Sequence, residues 1–235
     1  MRPRIVLVTD PGFADEVVVR CIGDAARVLP AGALCVQLRD KARPLTSLRL
    51  FALQLRAVTA DAGAALVVNG DPRLARDVGA DGVHLGGDAR ARGVSVREAR
   101  SVCGDAAWVS VAAHSDDDVQ RARDEGADAA LVSPIFDSHP HRAMKRLSAT
   151  AADDPDFKQG RGLGALRRAR IIARASSQRP GPALSLYALG GVTVERARAC
   201  MEAGADGIAV IRALLGSDEP GRSARAFHDA VAAHC

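Results

Sequence analysis

Aromatic residues are scarce in this sequence: its 235 residues include five Phe, one Tyr and one Trp. That scarcity argues against a nucleic-acid binder that stacks bases on aromatic platforms. No run of five like charges occurs, so the formal net charge of +4 reads as a solvated, Arg-rich surface. Such a balance also suits small phosphorylated anions as ligands. No C-x-x-C pair occurs among the five cysteines, which argues against a zinc ribbon, and the odd count argues against a disulfide framework. Cys35 lies inside an apolar run and reads as a small core residue. No stretch reaches the roughly 18 apolar residues of a membrane helix. The first apolar run meets Asp10 too early for a secretory leader. These absences predict a cytoplasmic protein whose partners are small phosphorylated substrates, with no nucleic acid and no membrane. They leave the oligomeric state open.

What the chain does have is aliphatic mass. Hydrophobic residues make up 48% of it, chiefly Ala, Val, Leu and Ile. That supports a sizeable core and excludes a disordered chain. Near-continuous apolar runs at 5–9, 34–38, 66–69, 82–85, 108–112, 129–133, 186–189 and 208–211 read as strands buried on both faces. Helical spacing separates them. Leu48, Phe51, Leu55 and Val58 share one helix face, and Ile171, Ile172 and Ala175 share another. One corner recurs as Gly63-Ala64-Ala65, Gly79-Ala80-Asp81, Gly126-Ala127-Asp128 and Gly204-Ala205-Asp206. A glycine there can end a helix in the left-handed conformation and turn the chain into the next strand.

Eight strand–helix alternations with repeated corners predict one α/β domain over residues 1–235, a (β/α)8 TIM barrel. A doubly wound open sheet is the alternative. It would carry G-x-G-x-x-G after the first strand, and none is there. Residues 137–162 break the rhythm and are rich in His, Pro, Lys, Arg and Asp. In a barrel this irregular loop follows a strand, so it is expected over the C-terminal face, closing on substrate as a lid. Its basic side chains include His139, His141, Lys145 and Lys158.

The residues at strand C-termini are the candidates for chemistry. Gln37, Arg39 and Lys41 end the second strand with an amide and two cations, a pattern suited to clamping a diphosphate. A solvated strand end is the plainer reading. Asn69 ends the third strand and His84 lies in the fourth. Asp71 and Asp88 follow these two strands and could share Mg2+ with a substrate phosphate. Asp71-Pro72 reads equally well as a helix cap. His114 follows the fifth strand and suits proton transfer, although a lone His is often structural. Gly190-Gly191 after the seventh strand and Arg212 at the exit of the eighth fit a phosphate site on the last two loops.

Taken in order, these segments resemble the thiamine phosphate synthase family, which includes the thiazole tautomerases. The matching stretches are Val36-Gln37-Leu38-Arg39-Asp40-Lys41, Leu66-Val67-Val68-Asn69 and Gly79-Ala80-Asp81-Gly82-Val83-His84-Leu85-Gly86. Further along come Ser133-Pro134-Ile135-Phe136, Ala188-Leu189-Gly190-Gly191-Val192 and Gly204-Ala205-Asp206-Gly207-Ile208-Ala209-Val210. The resemblance implies a (β/α)8 barrel that couples hydroxymethylpyrimidine diphosphate to thiazole phosphate, with Mg2+ helping diphosphate leave. It gives Gln37, Arg39, Lys41 and Asn69 to the pyrimidine and its diphosphate. Gly191 and the exit of the eighth strand would take the thiazole phosphate.

The chain also departs from that pattern. The family's Asn-Asp pair is Asn69-Gly70 here, and its later metal aspartate falls at Ala89 without gaps. Asp71 and Asp88 would have to form a shifted Mg2+ site. The Thr-x-Thr-Lys loop becomes Ser138-His139-Pro140-His141, so His141, Lys145 or Lys158 would replace its lysine. The usual serine at the last strand's exit is Arg212. His114 and Gly160-Arg161-Gly162-Leu163 look like the tautomerase branch, which moves a proton without Mg2+ or diphosphate. A barrel that only binds a thiamine-related phosphate is the third expectation.

Overall fold

A computed structural model describes residues 1–138, 158–175 and 183–232. The strands are β1 (Ile5–Val8), β2 (Leu34–Leu38), β3 (Ala65–Asn69), β4 (Gly82–Leu85), β5 (Trp108–Ala113), β6 (Ala129–Val132), β7 (Ser185–Leu189) and β8 (Gly207–Val210). The helices are α1 (Asp15–Ala26), α2 (Leu45–Asp61), α3 (Pro72–Asp77), α4 (Gly87–Ala91), α5 (Val96–Cys103), α6 (Asp116–Glu125), α7 (Gly162–Arg174), α8 (Val194–Glu202), α9 (Arg212–Leu215) and α10 (Pro220–Ala232). Each strand pairs in parallel with the next, and β8 closes on β1 through Ile208 beside Ile5. The fold is the (β/α)8 barrel that the alternation predicts, and the open sheet is excluded by that closure. The lid expected over 137–162 falls largely on residues 139–157, outside the described residues. His139, His141 and Lys145 lie there.

Alternating side chains divide the core in two. Leu7, Val36, Leu66, Val83, Val109, Ala130, Leu186 and Ile208 point outward against the helices. Val6, Val8, Cys35, Val67, Leu131, Tyr187 and Ala209 fill the barrel. At its base Tyr187 and Trp108 meet edge to face, centroids 6.1 Å apart at 89°. Leu55 and Phe51 of α2 are buried, as the periodicity requires. The face expected on α7 is corrected in part: Ile172 packs half-buried against the core, but Ile171 is 72% exposed, and the helix buries Ala165, Leu166, Ala169 and Ala173. Small residues let that helix lie close to the sheet, and Ile171 falls on the opposite side. Ala175 is likewise exposed.

The Gly-Ala-Asp corners do more than turn the chain. Gly79, Gly126 and Gly204 have φ of 64°, 77° and 104°. Each following aspartate reaches back to the preceding strand. Asp81 accepts the Leu66 N–H at 2.8 Å, Asp128 the Val109 N–H at 2.7 Å, and Asp206 the Leu186 N–H at 2.8 Å. An arginine from the helix outside binds the same carboxylate: Arg56 on Asp81, Arg100 on Asp128, Arg170 on Asp206. Those arginines also donate to the carbonyls of Gly79, Gly126 and Gly204. The clamp fixes where a strand starts at the N-terminal end of the barrel. Asp128→Ala should therefore cost about 1–3 kcal/mol, since it strips an amide and a guanidinium of their acceptor. Urea denaturation checks this, and an unchanged midpoint would show the clamp to be ornamental.

Candidate active site

A cavity of about 500 Å3 opens at the C-terminal end of the strands. Gln37, Arg39, Lys41, Asn69, His84, His114, Ser138, Gly190, Gly191 and Arg212 all line it, so the barrel gathers nearly all the sequence candidates. His141 lies outside the described residues. Asp71 and Asp88 are not among the lining residues. Three further ionisable groups are added, Asp10, Asp137 and Lys158, of which the two aspartates were not foreseen. Val8, Ala112, Leu131, Leu189 and Ala209 give the cavity an apolar floor.

The β2 arm is held rigidly. The Thr9 hydroxyl accepts the Arg39 N–H at 2.8 Å and donates to the Arg39 carbonyl at 3.2 Å. Beyond it, Asp40 accepts the Ala42 and Arg43 amides at 3.2 and 3.1 Å, and Arg43 Nε at 2.9 Å. Arg43 then forks onto Asp15 at 2.7 and 2.8 Å and lies 4.6 Å over the Phe51 ring. Hydrogen bonds from that fork hold the Asp15 carboxyl below the usual range. This scaffold sets the direction of Arg39 and Lys41 without using either side chain. Arg39 itself has no hydrogen-bonded carboxylate among the described residues.

Gln37 and His84 are polar groups buried in the cavity wall. His84 Nδ1 pairs with the buried Ser110 hydroxyl at 2.9 Å. Burial, with Arg39 and His114 adding like charge, pushes the His84 pKa down from 6.5 to about 3. His84 is thus a neutral hydrogen-bonding group, unsuited to acid–base work near neutrality. In the unfolded chain the imidazole protonates near 6.5, so the unfolded state holds the extra proton from there down to about 3. The related stability is complete above pH 6.5 and declines as pH falls toward 3, by about 1.4 kcal/mol per pH unit. His84→Gln keeps a partner for Ser110 without a titrating ring. Denaturation at pH 7 and pH 4.5 should show a smaller acid loss in that variant than in the native protein. Equal losses would contradict the buried neutral imidazole.

The expected Mg2+ ligands do not form a metal site. Asp71 caps α3, its Oδ1 accepting the Arg73 and Leu74 amides at 2.9 and 3.0 Å. Asp88 is engaged by Lys41 and exposed on the rim. Gly70 and Ala89, which stand where the family pattern has acids, are neighbours: a Cβ on Gly70 would lie 3.8 Å from that of Ala89. The strand ends bring those positions together, but neither carries a side-chain oxygen. Among the described residues no three His, Cys, Asp or Glu gather.

At the exit of neighbouring β5, His114 Nδ1 lies 3.0 Å from the Ser133 carbonyl and 3.2 Å from its hydroxyl. A carbonyl can only accept, so Nδ1 carries the hydrogen and Nε2 of the neutral ring is the basic nitrogen. The Asp118 carboxylate accepts the His114 N–H at 2.9 Å and fixes the backbone. Gly190 and Gly191 have φ of 97° and 59° and press against the β6 exit. A Cβ on Gly190 would meet Pro134 Cβ at 2.8 Å, and one on Gly191 the Asp137 carbonyl at 2.5 Å. No other residue type permits that approach of backbone to backbone. Ser138 and Lys158 form an antiparallel bridge at the rim, with bonds of 3.1 and 2.9 Å. Arg212 Nε stands 3.9 Å from Asp10, a pair that only closure of β8 on β1 can assemble.

Comparison with known proteins agrees with this architecture. The family described as thiamine monophosphate synthase matches residues 5–153. The thiamine-phosphate synthase of Methanoculleus marisnigri is 36% identical over 211 residues, covering 89% of this chain and 88% of that protein. The thiamine-phosphate synthase of Natronomonas pharaonis is 36% identical over 200 residues, covering 85% and 82%. Among solved structures, the thiamine phosphate pyrophosphorylase from Pyrococcus furiosus superposes with a TM-score of 0.76 at 22% identity, covering 99% and 97% of the two chains.

Proposed function

Because the chain belongs to the thiamine monophosphate synthase family, we propose that it is a transferase joining hydroxymethylpyrimidine diphosphate to thiazole phosphate. The bond from the pyrimidine methylene to the diphosphate oxygen breaks, and a bond from that carbon to the thiazole nitrogen forms. The products are thiamine phosphate and diphosphate. The observation that supports this reading is a cavity with cations or glycine amides on two sides. Arg39 and Lys41 stand on one side, and Gly190, Gly191, Lys158 and Arg212 stand on the other. A reaction between two phosphorylated partners needs that division.

In this mechanism Arg39 and Lys41 meet the charge that develops on the departing diphosphate. Gln37, Asn69 and neutral His84 hold the aminopyrimidine by hydrogen bonds. The apolar floor keeps water from the pyrimidine cation, which would otherwise be captured as an alcohol. The backbone amides of the paired glycines, with Lys158 and Arg212, hold the thiazole phosphate so that its ring nitrogen faces the methylene. No step is assigned to Mg2+, since the acids present do not fit it. The charged substrates and the absence of a membrane-crossing helix among the described residues suit a cytoplasmic enzyme. Residues 1–235 would act as one catalytic unit.

A second reading follows from His114, whose Nδ1–H bond leaves Nε2 as a base on the cavity wall. A tautomerase would use that nitrogen to move a proton on the thiazole phosphate. One experiment separates the readings. Purified protein is given both substrates, and thiamine phosphate is assayed by chromatography. Product above the protein-free control is expected. No product, with turnover of the thiazole tautomer that His114→Gln abolishes, would replace the transferase reading with the second one. Binding of thiazole phosphate with neither activity would leave only a ligand-binding barrel.

A further inference from the structure

The rim between β2, β3 and β4 presents cations at the place where a metal would need carboxylates. A Cβ on Gly70 would lie 3.8 Å from Arg92 Nη2 as well as 3.8 Å from Ala89 Cβ. Arg92 Nη2 also approaches the Gly70 carbonyl at 3.4 Å, so its guanidinium occupies the space beside that glycine. Nearby, Lys41 holds Asp88. Lys41 therefore holds one rim carboxylate and Arg92 stands beside Gly70, at the mouth of the cavity that Arg39 also lines, while Asp71 is turned to the amides of its own helix.

We propose that this barrel grips a diphosphate with the fixed cations Arg92, Arg39 and Lys41 in place of a divalent metal. The proposal rests on the transferase reading of the same cavity. A divalent ion beside Gly70 would face a guanidinium, and like charges at such distances repel. A diphosphate carries several negative oxygens, and guanidinium groups offer it paired donors of fixed geometry. Lys41 can exchange Asp88 for a phosphate oxygen, because both partners are exposed at the rim. Arg92 is thereby assigned to the substrate site although it lies outside the cavity lining.

The test is calorimetric titration with inorganic pyrophosphate, in EDTA and again with Mg2+ present. The native protein should bind pyrophosphate in EDTA, and Mg2+ should change the Kd less than about threefold. Arg92→Gln should weaken binding in EDTA about tenfold or more, the scale of one charge-assisted pair. Arg92→Lys should restore part of the loss. Arg92 is exposed, so these variants are expected to fold, and circular dichroism verifies it. Binding that appears only with Mg2+, or that Arg92→Gln leaves unchanged, overturns the proposal and spares the transferase reading. No binding under either condition overturns both.

Discussion

Replacing Arg39 with methionine is expected to lower kcat/KM for thiamine phosphate formation about 100- to 1000-fold, the scale on which removing one preorganised charge donor acts. The loss should fall mainly on kcat, because leaving-group charge is greatest in the transition state. Three observations set this expectation. The Arg39 backbone is pinned from both sides by Thr9. The turn beyond is locked by Asp40, Arg43 and Asp15. The guanidinium has no competing carboxylate bonded to it among the described residues, yet its charge is felt by buried His84. A donor held this way costs little to reorganise when the bond breaks. Arg39→Lys keeps the charge and loses the paired donors, so its activity should fall between the two. Steady-state kinetics on all three proteins provides the measurement. A methionine variant with native kcat would remove Arg39 from the chemistry.

Tyr187→Ala should destabilise the protein by about 3–5 kcal/mol, as large aromatic truncations in cores do. The ring is 1% exposed and packs edge to face on Trp108 across the barrel base. Its hydroxyl donates to the Pro3 carbonyl at 2.8 Å, tying the N-terminal segment to the barrel floor. Gly207 is shaped to the same ring, since a Cβ there would lie 2.7 Å from Tyr187 Cε1. The neighbours are strands of a closed barrel and cannot collapse into the void. Tyr187→Phe keeps the ring and should cost only about 1 kcal/mol, the net worth of one hydrogen bond. Urea midpoints for the two variants test the ratio. Equal effects would mean that the hydroxyl, and not the packing, holds the base together.

Every strand was legible to within one residue, because a strand buried on both faces must be apolar along its whole length. The α7 face was misread for a related reason. Ile171 outweighs alanine on any hydrophobicity scale, yet the packed side of α7 is Ala165, Leu166, Ala169 and Ala173, three of them alanines. Close approach to the sheet selects small residues, and a sequence does not state how near a helix lies. The strand-end candidates were legible because barrel topology puts all those positions at one end. Asp10 also follows a strand directly, but nothing in the run Asp10-Pro11-Gly12 points to a partner for it. Its partner Arg212 is two hundred residues away in the chain and comes near only when the barrel closes. Asp71 illustrates the other limit. A capping carboxylate and a metal-binding one are spelled alike, and only the bonds to Arg73 and Leu74 tell them apart.

The Arg–Asp clamps sit at the opposite end of the barrel from the cavity, and that separation has a bearing on how such a chain changes over generations. Strand register is decided at Asp81, Asp128 and Asp206, so the mouth inherits its geometry from residues that never meet a substrate. Side chains at the mouth can then drift without putting the fold at risk. Gly70 and Ala89 are two such positions, converging in space without acids in a barrel whose closure is unaffected. Aspartate at Ala89 is thus a change at the mouth more than in the fold, whereas Gly70, with φ of 80°, resists any side chain; libraries aimed at new phosphorylated substrates belong at the strand exits, with the corners left untouched.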